Sequence, residues 1–265
     1  MNPPPAPRRK RLQGLSFNRM IPNIMTLLAL CAGITAVRYG LADQWEKAAL
    51  AILVAAILDG LDGRVARLLK GTSKFGAELD SLSDFISFGV APTLMLYVWS
   101  MQGAGRFGWI LVLLYAVCCA LRLARFNTAL EEHAMPPWAY NFFSGTPAPA
   151  AAGLVLLPMI LSFQVGDDIF RRPEVVSIFL VAVSVLMVSR IPTFSFKKFH
   201  VTGPWILPLM VIVGLLAALM VSAPWLTLSL IIVAYMVSIP FSIRAFGILK
   251  KKANERNTPP ASTPG

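Results

Sequence analysis

Apolar residues run along the chain in blocks of about twenty, separated by short polar, basic or proline-bearing breaks. The blocks fall at 21–39, 47–67, 78–99, 107–126, 143–163, 174–190, 204–222 and 225–243. A helix of that length matches the roughly 30 Å hydrocarbon core of a bilayer, so the pattern predicts an all-α polytopic membrane bundle of about eight transmembrane helices. Seven spans with one re-entrant segment is the alternative count. The second and third blocks break the pattern, because Asp59 and Asp62 interrupt one and Asp80 and Asp84 the other. Spacings of three and four put each pair on one face of its helix, so two helices could turn four carboxylates toward each other. A carboxylate at membrane depth costs roughly 2.5 kcal/mol or more unless it is paired, metal-bound or hydrated. Residues 59–84 are therefore the expected functional site.

Composition agrees with the periodicity. The 265 residues are 56% hydrophobic and 14% charged, with a mean hydropathy of +0.66, too apolar for an ordinary soluble domain. One integral domain, 16–249, is expected between a basic cytoplasmic arm, 1–15, and a polar tail, 250–265, both predicted to be disordered. The arm either touches anionic headgroups or serves only as a topology signal. The net charge of +11 does not point to nucleic acid, because the basic residues lie in short blocks between apolar segments. They read instead as topology. If the N-terminus is cytoplasmic, Arg8, Arg9, Lys10, Arg11, Arg19, Arg64, Arg67, Lys70, Lys74, Arg122, Arg125, Arg190, Lys197, Lys198, Arg244, Lys250, Lys251, Lys252 and Arg256 all fall inside. Only Arg38, Lys47, Arg106, Arg171 and Arg172 fall outside, which predicts cytoplasmic termini and a cytoplasmic acidic site. No cleavable leader is expected before the first block. Cys31, Cys118 and Cys119 lack metal spacing and read as buried small hydrophobes, and His133 and His200 read as surface residues.

Several other polar or small residues interrupt the apolar blocks. Asn23 and Thr26 lie one turn apart at the start of the first, as ligand contacts or as an ordinary cap. Gly60, Gly63 and Ala66 leave room along the second helix, and Gly76, Asp80 and Asp84 make one stripe on the third, expected to begin near Gly76. Glu78 points elsewhere. Ser81, Ser83 and Ser87 are either supports for the carboxylates or glue between helices. Arg122 and Arg125, three apart, form either an anion clamp or a positively charged helix end. Residues 129–146 read as an irregular connection, and Lys197 and Lys198 as a solvated loop or a contact for phosphate.

Four converging carboxylates without Cys or His favour hard, oxygen-seeking divalent cations and argue against zinc. Two ions would offset the charge, and paired ions suit displacement at phosphorus. The residues alone thus reach metal-dependent phosphoryl chemistry at a membrane face. The run Asp59-x-x-Asp62-Gly63-x-x-Ala66-Arg67, eight residues, then Gly76-x-x-x-Asp80-x-x-x-Asp84 resembles the signature of the CDP-alcohol phosphatidyltransferase family. That resemblance implies a six-helix core, frequent homodimers, and attack of an alcohol on the β-phosphorus of CDP-diacylglycerol with release of CMP. It implies that Asp59, Asp62, Asp80 and Asp84 hold two divalent cations, Mg²⁺ or Mn²⁺, and that Asp84 is also the general base. It implies further that Gly63, Ala66, Arg67 and Gly76 shape the CDP site and that Asn23 and Thr26 face the nucleotide.

The run from Arg122 through Asn127 and the Phe143-Ser144-Gly145-x-Pro147-x-Pro149 stretch resemble the serine-accepting branch of the family. Arg122, Arg125 and Asn127 are then the expected acceptor and anion contacts. Choline, inositol phosphate and glycerol phosphate are alternative acceptors, and a divalent-cation transporter is the alternative outside enzymes.

Overall fold

The computed structural model describes residues 17–69, 73–131, 142–189, 191–194 and 206–257. The expectations placed on the arm 1–15 and on Lys70, His133, Arg190, Lys197, Lys198 and His200 lie outside the described residues. Each of the eight apolar blocks contains a helix. In order these are α1 (Phe17–Leu41), α2 (Trp45–Leu68), α3 (Lys74–Asp84) continued by a π-helical turn (Phe85–Val90) into α4 (Ala91–Trp99), and α5 (Gly105–Glu131). After them come α6 (Ala148–Val165), the one-turn α7 (Asp167–Phe170), α8 (Pro173–Val188), α9 (Ile206–Ser222) and α10 (Pro224–Asn257).

Among the described residues, five helical stretches are long and apolar enough to cross a bilayer: Met20–Leu41, Lys74–Trp99, Met101–Thr128, Ala148–Val165 and Pro224–Gly247. Helices α8 and α9 are apolar but shorter, and α2 is long enough but carries the acidic motif. The chain is an all-α polytopic membrane protein. Large apolar side chains face outward along α1, α5 and most of α9, as a lipid solvent allows.

Small residues bring α1 against its neighbours. Thr26, Ala29, Gly33, Ala36 and Gly40 recur at intervals of three and four and form its buried stripe. A Cβ on Gly33 would overlap the Ser87 side chain and lie 2.8 Å from its Cα, so only glycine permits this approach. The serines on the facing element are glue: Ser83 Oγ donates to Thr26 O at 3.1 Å and Ser87 Oγ to Ala29 O at 3.3 Å. Apolar contact gives no preference for helix over lipid tails, so such bonds fix the register of α1 against α3.

The π-helical turn directly follows Asp84 and has a local cause. Pro92 has no N–H to donate to Phe88 O, and Tyr115 on α5 fills that position by donating its hydroxyl at 3.2 Å. The bond ties α5 to the element that carries two of the acidic residues.

Four expectations change. The third helix begins at Lys74, not near Gly76, because Ser73 accepts the Gly76 N–H at 3.0 Å as its N-cap. The 129–146 connection is more regular at both ends: α5 continues to Glu131, and Phe142–Ser144 pairs antiparallel with Pro192–Phe194. Helix α10 runs to Asn257, into the 250–265 tail expected to be disordered, because Lys, Ala, Glu and Arg there are good helix formers. Cys31 is exposed, since it lies off the buried stripe of α1, while Cys119 is buried.

The Gly33 contact makes a stability prediction. Gly33→Ala should lower the midpoint of thermal unfolding in detergent, corresponding to an overpacking penalty of about 1–3 kcal/mol. Gly214→Ala on α9, where a Cβ meets nothing within 4 Å, should leave it unchanged or raise it.

Candidate active site

The acidic residues lie where one core-facing stripe ends and another begins. On α2 the stripe runs through Ala48, Ile52 and Ala55 and continues, at the same three- and four-residue steps, to Asp59 and Asp62. On α3 it runs through Gly76, Asp80 and Ser83 to Asp84 and Ser87. On α2 the stripe positions that are apolar one or two turns earlier are carboxylates here, and on α3 they become apolar only after Asp84, so packing α2 and α3 against α1 brings charge together.

Carboxylate oxygens of Asp59, Asp62 and Asp80 all lie within 4.8 Å of one another. Asp84 is not part of that trio. It sits beside Asp59, within hydrogen-bonding reach, with the Arg122 guanidinium close enough to interact with both. At 4.8 Å two unit charges repel by about 3.5 kcal/mol at an effective dielectric of 20, so three ionised carboxylates would cost roughly 10 kcal/mol. That equals the whole stability of a typical domain. A counter-charge relieves this cost without protonating the carboxylates, and an all-oxygen donor set fits a hard divalent cation.

Neighbouring residues set the orientation of the cluster. Thr26 Oγ1 donates to Asp62 Oδ2 at 2.8 Å and also lies 3.1 Å from Pro22 O. Asn23 packs on Gly76, where a Cβ would come within 2.9 Å of Asn23 Oδ1, so this glycine admits a protein side chain. Gly60 and Gly63 differ, because a Cβ at either would meet nothing within 4 Å. Gly63 and Arg67 are exposed, Ala66 is half-buried, and Glu78 is exposed away from the trio. On α5, Asn127 and Ser81 hydrogen-bond each other, the Asn127 amide donating at 2.9 Å.

The two arginines of α5 separate in role. Arg125 donates to Val188 O at 2.8 Å and Ser189 O at 3.2 Å, which holds the C-terminal end of α8. The charge of Arg122 interacts with Asp84, and its Nε is buried without a hydrogen-bond partner. Two residues that the sequence did not single out accompany it, Thr146 before α6 and Tyr235 on α10. A lone Tyr in an apolar helix carries no spacing signal, so only the tertiary contact reveals it. Tyr235 also lines an apolar groove of about 240 Å³ between α2, α6 and α10, together with Ile52, Pro149 and Ile232.

A helical membrane bundle with an aspartate cluster at one end fits metal-dependent chemistry at a membrane face, and comparison with known proteins identifies the class. The CDP-alcohol phosphatidyltransferase family model matches residues 19–190, and a second, CDP-alcohol phosphatidyltransferase 2, matches 204–240. The chain belongs to the CDP-alcohol phosphatidyltransferase family. It is 43% identical over 227 residues to the CDP-diacylglycerol–serine O-phosphatidyltransferase of Mycobacterium tuberculosis, covering 86% of this chain and 79% of that one. The enzyme of the same name from Helicobacter pylori is 37% identical, with 82% and 88% covered. That from Bacillus subtilis is 35% identical, with 67% and 92% covered.

The Thr26–Asp62 bond gives a binding prediction. Detergent-purified protein should remove free Mn²⁺ from its electron paramagnetic resonance spectrum, and Thr26→Val should weaken that binding by about tenfold or more, the usual effect of losing a support to a ligand. Glu78→Gln should bind as the native protein does.

Proposed function

We propose that this chain transfers the phosphatidyl group of CDP-diacylglycerol to L-serine, releasing CMP and forming phosphatidylserine. The observation that carries the proposal is the juxtaposition of the Asp59, Asp62 and Asp80 trio with Asp84 and the Arg122 guanidinium. The names of the relatives support serine as the acceptor.

Asp59, Asp62, Asp80 and Asp84 are assigned to holding two divalent cations, Mg²⁺ or Mn²⁺. When bound, these ions supply the positive charge that makes a diphosphate electrophilic and CMP a good leaving group. Asp84 takes the proton from the serine hydroxyl, whose oxygen forms a bond to the β-phosphorus while the bond between that phosphorus and the oxygen of CMP breaks. Thr26 holds Asp62 in place. Gly63, with open space in front of it, lets the cytidine diphosphate approach the backbone, beside Ala66 and Arg67, while Asn23 and Gly76 close the other side.

Arg122 is the better candidate for the serine carboxylate, because both terminal nitrogens of Arg125 already serve carbonyls of α8. The Asn127–Ser81 bond ties this end of α5 to α3. The apolar groove that shares Tyr235 with the site supports a lipid donor. The excess of Lys and Arg in alternate connections supports a cytoplasmic site and cytoplasmic termini. Assembly as a homodimer is part of the proposal through family resemblance.

Membranes containing the protein, given CDP-diacylglycerol and labelled serine, should release CMP in proportion to labelled phosphatidylserine, and a chelator should stop both. Asp84→Asn should lower kcat by about 10²-fold or more. Arg122→Ala should chiefly raise the KM for serine. Metal-dependent CMP release with choline, inositol phosphate or glycerol phosphate but not serine would replace the acceptor. No release with any alcohol would remove the enzymatic proposal.

A further inference from the structure

Along the third apolar block two sets of residues face the rest of the bundle. Gly76, Asp80, Ser83 and Asp84 make the acidic stripe before the π-helical turn, and the apolar residues Ala91, Pro92, Met95, Leu96 and Trp99 are buried after it. Counted at about 100° per residue, as in a continuous α-helix, the centre of the second set stands about 100° round the axis from the centre of the first. An uninterrupted helix would therefore turn the carboxylates off α1 whenever its apolar half packed correctly. In the structure both sets meet the same face of α1. A Cβ on Gly76 would lie 2.9 Å from Asn23 Oδ1, Ser83 Oγ donates to Thr26 O at 3.1 Å, and Met95 comes within 3.2 Å of where a Cβ on Gly40 would lie.

The π turn removes the mismatch. Its bonding, seen where Ala91 N–H donates to Ile86 O, takes one residue more per turn than an α-helix, and one residue is about 100° of rotation. Helix α5 grips the turn at two adjacent points. Tyr115, fully buried, donates its hydroxyl to Phe88 O, and Cys119, one turn later, packs on Gly89, where a Cβ would lie 3.1 Å from the Cys119 Sγ. The next residue on that face of α5 is Arg122, whose charge interacts with Asp84. Pro92 cannot offer Phe88 O the N–H that an ordinary α-helix would, so the phenol takes the place of the missing donor.

We infer that this turn is a register device for the acidic site, with Tyr115 as a positioning residue that acts on Asp80 and Asp84 through it. Taking those two aspartates as metal ligands rests on the function proposed above, whereas the rotation does not. Neither Tyr115 nor Pro92 has to touch a ligand. Together they hold the extra residue in the turn, and that residue decides whether the carboxylates of α3 face Asp59 and Asp62 of α2.

The test removes the hydroxyl and then supplies the missing donor. Tyr115→Phe should lower the midpoint of thermal unfolding in detergent. It should also weaken binding of free Mn²⁺, read by electron paramagnetic resonance, by about tenfold or more, the usual effect of losing a support to a ligand. Adding Pro92→Ala gives Phe88 O a backbone N–H and favours an ordinary α turn. The double variant should recover its midpoint while its Mn²⁺ binding stays weak or falls further. A Tyr115→Phe protein that binds as the native one does, or binding that recovers together with the midpoint, would overturn the inference, because a merely structural role moves both readouts together. If the native protein binds no Mn²⁺, the metal assignment fails by itself, and cross-linking decides the register. The Asn127 amide of α5 donates to Ser81 Oγ of α3 at 2.9 Å. Ser81→Cys with Asn127→Cys should therefore oxidise to a disulfide, identified by mass spectrometry, while Tyr115 and Pro92 are in place. Its yield should drop several-fold in the Tyr115→Phe, Pro92→Ala background, and equal yields would end the proposal.

Discussion

Mutual repulsion of carboxylates is the constraint on which the rest of this structure depends. Asp59, Asp62 and Asp80 converge within 4.8 Å of one another at one end of a largely apolar helical bundle, where ionised carboxylates are costly. The fold answers with oriented neighbours. Thr26 bonds Asp62, the Arg122 charge stands beside Asp84, and the open faces of Gly60 and Gly63 leave space in front of α2. Each of these is useful only if α1, α2, α3 and α5 meet in one register.

Register in a membrane protein cannot come from apolar burial alone, since lipid tails are as apolar as leucine. Here it comes from close backbone approach and a few polar ties. Gly33 lets the Ser87 turn reach α1, Ser83 and Ser87 bond α1 carbonyls, and Tyr115 serves the carbonyl that Pro92 leaves without a donor. The same ties sit within one or two turns of the acidic residues, so the elements that make the bundle also align the site. On the far side, Arg125, Gly145 and the short strand pair do the same for the wall that carries Thr146. The two halves join at Arg122, whose charge interacts with Asp84 on α3 and with Tyr235 on α10.

How much could be seen in the one-dimensional pattern varied from residue to residue. The aspartates stood out because carboxylates in apolar helices are expensive, and their three- and four-residue steps placed them on single faces before any packing was known. Ser83 and Ser87 were ambiguous, because a serine in a membrane helix is either glue or a support, and only the Thr26 and Ala29 carbonyls opposite them decide for glue. Arg122 and Arg125 looked equivalent by spacing. One turn of helix separates a guanidinium that caps α8 from one that faces a carboxylate, and the neighbouring elements alone distinguish them. The strand pair at 142–144 and 192–194 gave no signal, being three residues long on each side and assembled from distant segments.

Hydropathy and spacing by themselves determined the helical membrane class, the eight apolar segments and the identity of the acidic residues, because those properties follow from the cost of placing each side chain in lipid and from helical periodicity. Tertiary structure decided which carboxylates actually meet, which arginine is committed to a carbonyl, and that Tyr235 and Thr146 stand beside the site. These depend on contacts between residues dozens of positions apart. Periodicity reports only the face of a helix, whereas a hydrogen bond or its absence is settled by what the opposite helix presents.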